Sequence, residues 1–212
     1  MTIKAIFFDF WGTIVENGVF PSPVRQVKRI LDLDMDFSEY IQKFEQIFMV
    51  QSYDDLYAAF EAVCKAFNIA PEKKMLDELV GLWNRNKLFA KPYIDTKLML
   101  ERLGKDLKLV LISNTDCFSV MQIMEKYDMA KYFDVILLSF QEGKLKADPA
   151  LFEKGIETLG ISKEEAIMIG DSLESDIESA KRAGIKALLI DRRGRRNYPD
   201  KISNLKEITN HL

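Results

Sequence analysis

Five short apolar segments recur along the chain and constrain its fold more than any other feature. They lie at residues 5–8, 107–112, 135–138, 166–169 and 187–190. Continuous apolar runs of this length are typical of strands buried on both faces of a sheet. Segments with apolar residues at helical spacing separate the later runs, at residues 117–127, 149–159 and 173–183. This alternation of strand and helix predicts an α/β fold with a parallel sheet.

Residues 16–90 follow a different pattern. Apolar residues recur there at spacings of three and four, in segments 24–31, 38–49, 56–67 and 72–83. A chain of 212 residues has room for one core domain and an insertion, since a domain takes roughly 150 residues. We therefore expect a Rossmann-like core formed by residues 1–15 and 91–212, interrupted by an all-helical insertion at 16–90.

The charge balance and the cysteine content narrow the function classes. Lys and Arg total 30 against 33 Asp and Glu, a net charge of −3, so no basic field favours nucleic acid or an anionic membrane. The first apolar run is far too short to span a bilayer. Cys64 and Cys117 lack metal-ligand spacing and indicate a reducing compartment. We expect a cytoplasmic protein that binds neither nucleic acid nor membrane, and its oligomeric state stays open.

Polar residues follow the predicted strands, at the sheet edge where parallel α/β sheets bind their ligands. They are Asp9, Gly12 and Thr13 after the first strand, Ser113 and Asn114 after the second, Lys146 after the third, and Asp171 and Asp176 after the fourth. Carboxylates gathered at one edge repel each other unless a hard cation lies between them, and oxygen ligands suit Mg²⁺. A lysine and a hydroxyl beside these carboxylates indicate that the ligand carries a phosphoryl group.

These four motifs, in this order, resemble those of the haloacid dehalogenase-like hydrolase superfamily. The resemblance covers nearly the whole chain, including a helical cap inserted between the first and second motifs. It implies that Asp9 is the nucleophile, that Lys146 stabilises the nucleophile and the phosphoryl group, and that Ser113 binds the phosphoryl oxygens. Gly12, Thr13 and Asn114 would complete the substrate-binding turns, where backbone amides point partial positive charge at anions.

The resemblance also implies a metal site. Mg²⁺ would be bound by Asp9, by the backbone carbonyl of Trp11 and by Asp171, with Asp176 as an acidic support. The implied activity is a magnesium-dependent phosphohydrolase that acts on a small phosphorylated metabolite through an aspartyl-phosphate intermediate.

Trp11 departs from the family pattern. Phosphatases of the superfamily usually read Asp-x-Asp-Gly-Thr, and their second Asp protonates the leaving group; this chain has Trp11 at that position. An indole N–H cannot transfer a proton usefully, so Trp11 replaces the general acid without its chemistry. We expect activated phosphate esters to be favoured, unless Glu16, Asp116 or an acid from the cap substitutes.

Two alternatives remain open. The first is a metal-independent 2-haloacid dehalogenase, because haloacid dehalogenases carry an aromatic Tyr at the position of Trp11 and need no metal. Those enzymes typically lack the carboxylate after the fourth strand, whereas this chain keeps Asp171 and Asp176. The other alternative is a weakly active binding or regulatory relative. In each case we expect the cap to select the ligand, with residues 53–55 facing Asp9.

Overall fold

The computed structural model describes residues 2–212, and its centre is a six-stranded parallel sheet. The strand order is β5-β4-β1-β6-β7-β8. The strands are β1 Ala5–Phe8, β4 Lys108–Ser113, β5 Val135–Leu138, β6 Ala166–Gly170, β7 Lys186–Ile190 and β8 Lys201–Ile202. The predicted α/β fold with a parallel sheet is confirmed. Of the six strands in this sheet, only the short edge strand β8 has no counterpart among the predicted strands.

Strand β1 shows why these runs form buried strands. Its side chains alternate, so that Ile6 and Phe8 enter one apolar cluster and Ala5 and Phe7 enter the other. All four are fully buried because β1 lies between β4 and β6, with Phe7 opposite Val110 and Met168. Apolar side chains are needed on both faces of such a strand.

Helices cover both faces of this sheet. They are α5 Thr96–Leu103, α6 Val120–Lys126, α7 Ser139–Glu142, α8 Pro149–Leu159 and α9 Ser179–Arg182, with 3₁₀ turns at Ala130–Tyr132, Lys163–Glu165 and Leu205–Asn210. The continuous helix predicted at 173–183 is interrupted: a π-helical turn, Leu173–Glu178, precedes α9. Within residues 2–212, no helix is both long enough and apolar enough to cross a bilayer.

Four further helices lie between two very short strands, β2 Val15–Glu16 and β3 Lys91–Pro92, which pair antiparallel. The helices are α1 Pro23–Ile30, α2 Phe37–Phe48, α3 Leu56–Ala66 and α4 Lys73–Phe89. They share an apolar cluster of their own, in which Phe48 packs against Phe44, Phe60 and Trp83. We call α1–α4 the helical unit. Its assignment as a separate domain stays a prediction.

Candidate active site

Three acidic side chains converge at the carboxyl ends of β1 and β6. Asp9 follows β1 and Asp171 follows β6, and the two strands are neighbours in the sheet. Asp176 lies in the π-helical turn, where its Oδ2 accepts a hydrogen bond from the Ser172 N–H at 2.9 Å. One carboxylate oxygen from each of the three acids lies within 4.8 Å of the others.

Lys146 lies between two of these acids. Its Nζ is 2.7 Å from Asp9 Oδ1 and 2.5 Å from Asp176 Oδ1, and the side chain is only 2% exposed. Burial by itself would lower the pKa of this ammonium, but Asp176 and Asp9 outweigh burial and hold the pKa above its usual value. Lys146 is therefore a permanent positive charge beside Asp9.

One lysine does not neutralise three carboxylates. The pKa of Asp9 is raised to about 6, chiefly because burial disfavours its charged form; the Lys146 ammonium opposes this rise and Asp176 adds to it. The pKa of Asp171 is raised to about 8 by burial and then by repulsion from Asp9 and Asp176. A buried excess of hard anionic oxygens fits a divalent cation such as Mg²⁺.

Thr13 and Gly12 shape this cluster from the loop after β1. The Thr13 hydroxyl donates to Asp9 Oδ2 at 3.0 Å, so both oxygens of Asp9 are held. Gly12 has φ +78°, and a Cβ there would lie 2.4 Å from Asp171 Oδ2. Only glycine combines this backbone conformation with so close an approach.

Ser113 and Asn114 differ in their surroundings. Ser113 is fully buried at the end of β4, and its hydroxyl is 3.5 Å from the Asn114 carbonyl oxygen. The Asn114 side chain joins two parts of the site: its Oδ1 accepts from the Lys146 backbone N–H at 2.8 Å, and its Nδ2 donates to Glu45 Oε2 at 2.8 Å. Asn114 therefore links the motif after β4 to helix α2.

Trp11 packs edge-on against Phe10, with ring centroids 5.2 Å apart, and its partly buried indole also contacts the core. A cavity of about 1190 Å³ opens beside it. Six of the sequence-predicted site residues line this cavity: Asp9, Trp11, Asn114, Lys146, Asp171 and Asp176. The other three do not line it: Gly12 lines a neighbouring cavity together with Asp171, and Thr13 and Ser113 are fully buried.

The helical unit forms the opposite wall of the cavity, but not with the residues expected from the sequence. Asp55 accepts a hydrogen bond from the Ala58 N–H and caps α3, and the Tyr53 hydroxyl donates to the Ile47 carbonyl. The wall comes mainly from α2, through residues that include Ile41 and Glu45. The segment 53–55 is occupied by capping and local hydrogen bonds.

Sequence reasoning missed Glu45. This side chain is half-buried and lines the cavity together with Asp9 and Lys146. The available signal is its position, since Ile41 and Glu45 in α2, and Met49 directly after it, lie four residues apart and therefore on one face. Ile41 and Met49 are apolar, so an acid between them on the same face is the exception that could have been noticed.

The sequence model of the haloacid dehalogenase-like hydrolases matches residues 3–184. The chain belongs to this family. This haloacid dehalogenase-like hydrolase is 25% identical over 209 residues to N-acylneuraminate-9-phosphatase from Mus musculus, a match covering 91% of this chain and 84% of the relative. It is also 25% identical over 204 residues to glyceraldehyde 3-phosphate phosphatase from Methanopyrus kandleri. This match covers 91% of this chain and 85% of the relative.

A solved structure agrees with these sequence matches. The HAD phosphatase from Thermococcus onnurineus superimposes on this hydrolase with a TM-score of 0.66 and 26% identity, over 99% of this chain and 98% of that chain. The similarity therefore extends over both the sheet and the helical unit. The predicted membership of the superfamily is confirmed, and the protein is a hydrolase.

Proposed function

We propose that this hydrolase is a magnesium-dependent phosphatase that acts on a small phosphorylated metabolite through an aspartyl-phosphate intermediate. One observation carries the proposal: Asp9 is buried, held through both oxygens, and opens onto a cavity that also contains Lys146, Asp171 and Asp176. The phosphatase names of the sequence relatives support the same substrate class.

Asp9 is the proposed nucleophile. Thr13 and Lys146 fix its carboxylate, which leaves little orientational freedom to lose on the way to the transition state. A carboxylate and a phosphate dianion repel each other, and the Lys146 ammonium reduces that repulsion. Ser113 and the amides around Gly12 and Asn114 are the proposed partners of the phosphoryl oxygens.

Asp9, Asp171 and the Trp11 carbonyl would hold Mg²⁺, with Asp176 as support. When bound, the cation would neutralise charge on the phosphoryl oxygens. The helical unit is the proposed cap, formed by residues 16–90, and the β2–β3 pair is the proposed hinge. Closure of such a unit excludes water from the reacting groups.

Phosphate release from a panel of phosphate esters, with Mg²⁺ and with EDTA, tests this function. We expect release that chelation abolishes, and we expect Asp9→Asn to lose at least about 10³-fold of it because the nucleophile is removed. Activity of Asp9→Asn close to that of the wild type would remove the covalent mechanism. Halide release from a 2-haloacid in EDTA would instead establish the dehalogenase.

A further inference from the structure

The proposed phosphatase needs a proton donor for ordinary alkyl esters, and Trp11 cannot supply one. Glu174 and Glu178 also line the cavity but are exposed to solvent, so the remaining buried or partly buried acids near the site are Glu16, Asp116 and Glu45. Their surroundings distinguish them, since a general acid needs a carboxyl oxygen that faces the substrate and is free of other partners.

Asp116 has no free oxygen. Its Oδ1 accepts from the Phe118 N–H at 2.8 Å and from the Ser119 hydroxyl at 2.9 Å, and its Oδ2 accepts from the Trp83 indole at 3.1 Å. Asp116 therefore stabilises the turn before α6 and anchors α4.

The position of Glu16 argues against a role as the general acid. It lies in β2, opposite Lys91, with 3.8 Å between the charged groups. It is not among the residues that line the cavity containing Asp9. Glu16 instead lines a neighbouring cavity together with Gly12 and Asp171, and the lining of that cavity includes neither Asp9 nor Lys146.

Glu45 satisfies both requirements. It lines the same cavity as Asp9 and Lys146, on the wall formed by α2. Asn114 Nδ2 holds its Oε2 at 2.8 Å, and no group within residues 2–212 donates a hydrogen bond to its Oε1. The carboxyl group is thus oriented through one oxygen and open to a substrate through the other.

We propose that Glu45 is the general acid and base of this hydrolase, in place of the aspartate that Trp11 replaces. The assignment rests on the proposed phosphatase function. In the first step, an Asp9 oxygen bonds to phosphorus, the bond from phosphorus to the leaving oxygen breaks, and that oxygen takes the Glu45 proton. In the second step, water attacks phosphorus, Glu45 takes a proton from it, and the bond between Asp9 and phosphorus breaks.

The environment of Glu45 suits both steps. Burial raises the pKa of Glu45 to about 7, against the Lys146 ammonium and the Asn114 hydrogen bond, which lower it; Asp176 and Asp9 add to the rise. An acid whose pKa lies near the working pH is present in both protonation states and can give and take a proton.

Glu45→Gln tests the assignment, because it keeps the side-chain shape and removes the proton donor. The readout is the ratio of kcat/KM for an alkyl phosphate, glycerol 3-phosphate, to that for p-nitrophenyl phosphate, whose leaving group needs little protonation. We expect Glu45→Gln to lower this ratio by about 10²- to 10⁴-fold. Glu39→Gln is the matched control, since Glu39 is exposed on the same helix and should leave the ratio unchanged.

The pH dependence gives a second readout. For the alkyl ester, kcat/KM of the wild type should fall above pH 7 as Glu45 loses its proton, and Glu45→Gln should lack this fall. Glu45→Asp keeps a carboxyl group on a shorter side chain, so it should retain the fall and part of the alkyl activity.

Each other outcome is decisive. If a folded Glu45→Gln keeps the wild-type ratio, or lowers both rates equally, Glu45 only positions Asn114 and the proposal is overturned. If the wild type releases no phosphate from either ester, or Asp9→Asn retains activity, the proposed function itself fails and this assignment fails with it.

Discussion

At the scale of single residues, the decisive arrangement is the buried ion pair of Lys146 with Asp9 and Asp176. Removing one partner of a buried pair leaves an uncompensated charge in a poorly solvated place. Lys146→Met should therefore lower the free energy of unfolding at pH 8 by about 3–5 kcal/mol, measured by urea denaturation in EDTA.

The loss should be smaller at pH 5. The pKa of Asp9 is already raised to about 6, and removing Lys146 raises it further, so Asp9 is neutral at that pH and its burial is no longer penalised. Lys154→Met is the control, because Lys154 pairs with Glu142 but is itself exposed to solvent, so its loss should change stability by under about 1 kcal/mol. Equal losses for Lys146→Met at the two pH values would refute the ion-pair explanation.

The positions of single residues could be predicted only where the backbone determines them. Asp9 and Asp171 directly follow buried strands, and a parallel sheet brings the carboxyl ends of its strands together independently of the loop conformations. Glu45 could not be placed in this way. Its relation to Asn114, 69 residues away, depends on how α2 packs over the sheet, and no local pattern encodes that packing.

At the scale of elements, Ser139 fastens the end of α2 to the edge of the sheet. Its fully buried hydroxyl donates to the Met49 carbonyl at 2.5 Å and accepts from the Thr115 N–H at 2.9 Å. Ser139→Ala leaves both backbone groups without this partner, so the free energy of unfolding should fall by about 1–3 kcal/mol. Urea denaturation measures this change.

Thr158→Ala provides the comparison for Ser139→Ala. The Thr158 hydroxyl bonds the Lys154 carbonyl on an exposed helix face, where water can replace it. Its removal should change stability by no more than about 0.5 kcal/mol. If the two variants lose the same stability, the Ser139 contacts do not hold α2 to the core.

The long helices and the buried strands could be predicted from the sequence, but the two-residue strands and the π-helical turn could not. Helices α1–α4 repeat an apolar spacing over several turns, which is a strong signal. Strands β2 and β3 have two residues each, and they form by pairing with each other although the whole helical unit separates them in the sequence. In the π-helical turn at Leu173–Glu178, Asp176 accepts a hydrogen bond from the Ser172 N–H and also pairs with Lys146, 30 residues away, and no local pattern predicts that second contact.

At the scale of the whole molecule, the acidic cluster should couple stability to Mg²⁺. The cluster joins Asp9 to Asp171 and Asp176, which are far from Asp9 in the sequence, so a cation bound there favours the folded state alone. At a Mg²⁺ concentration of 100 times its dissociation constant, the stabilisation should be about 2.7 kcal/mol. Thermal unfolding at pH 8, in EDTA and in a Mg²⁺ series, measures it.

Asp171→Asn should change both the unfolding temperature in EDTA and the Mg²⁺ concentration that is needed to raise it. In EDTA the variant should unfold at a higher temperature than the wild type, because the repulsion of Asp171 by Asp9 and Asp176 is gone. It should also need more Mg²⁺ for the same shift, because a neutral oxygen is a weaker ligand. Glu174→Gln removes an exposed acid nearby and should respond like the wild type. A full Mg²⁺ response in Asp171→Asn would place the cation elsewhere.

The contact between Gly12 and Asp171 has a consequence for anyone who wishes to evolve this protein towards new substrates. Randomising position 12 would return glycine or inactive clones, since even a methyl group would collide with the carboxylate 2.4 Å away. Useful diversity belongs on the helix opposite, at positions such as Ile41 and Gln42, whose side chains border the same space without supporting the acids.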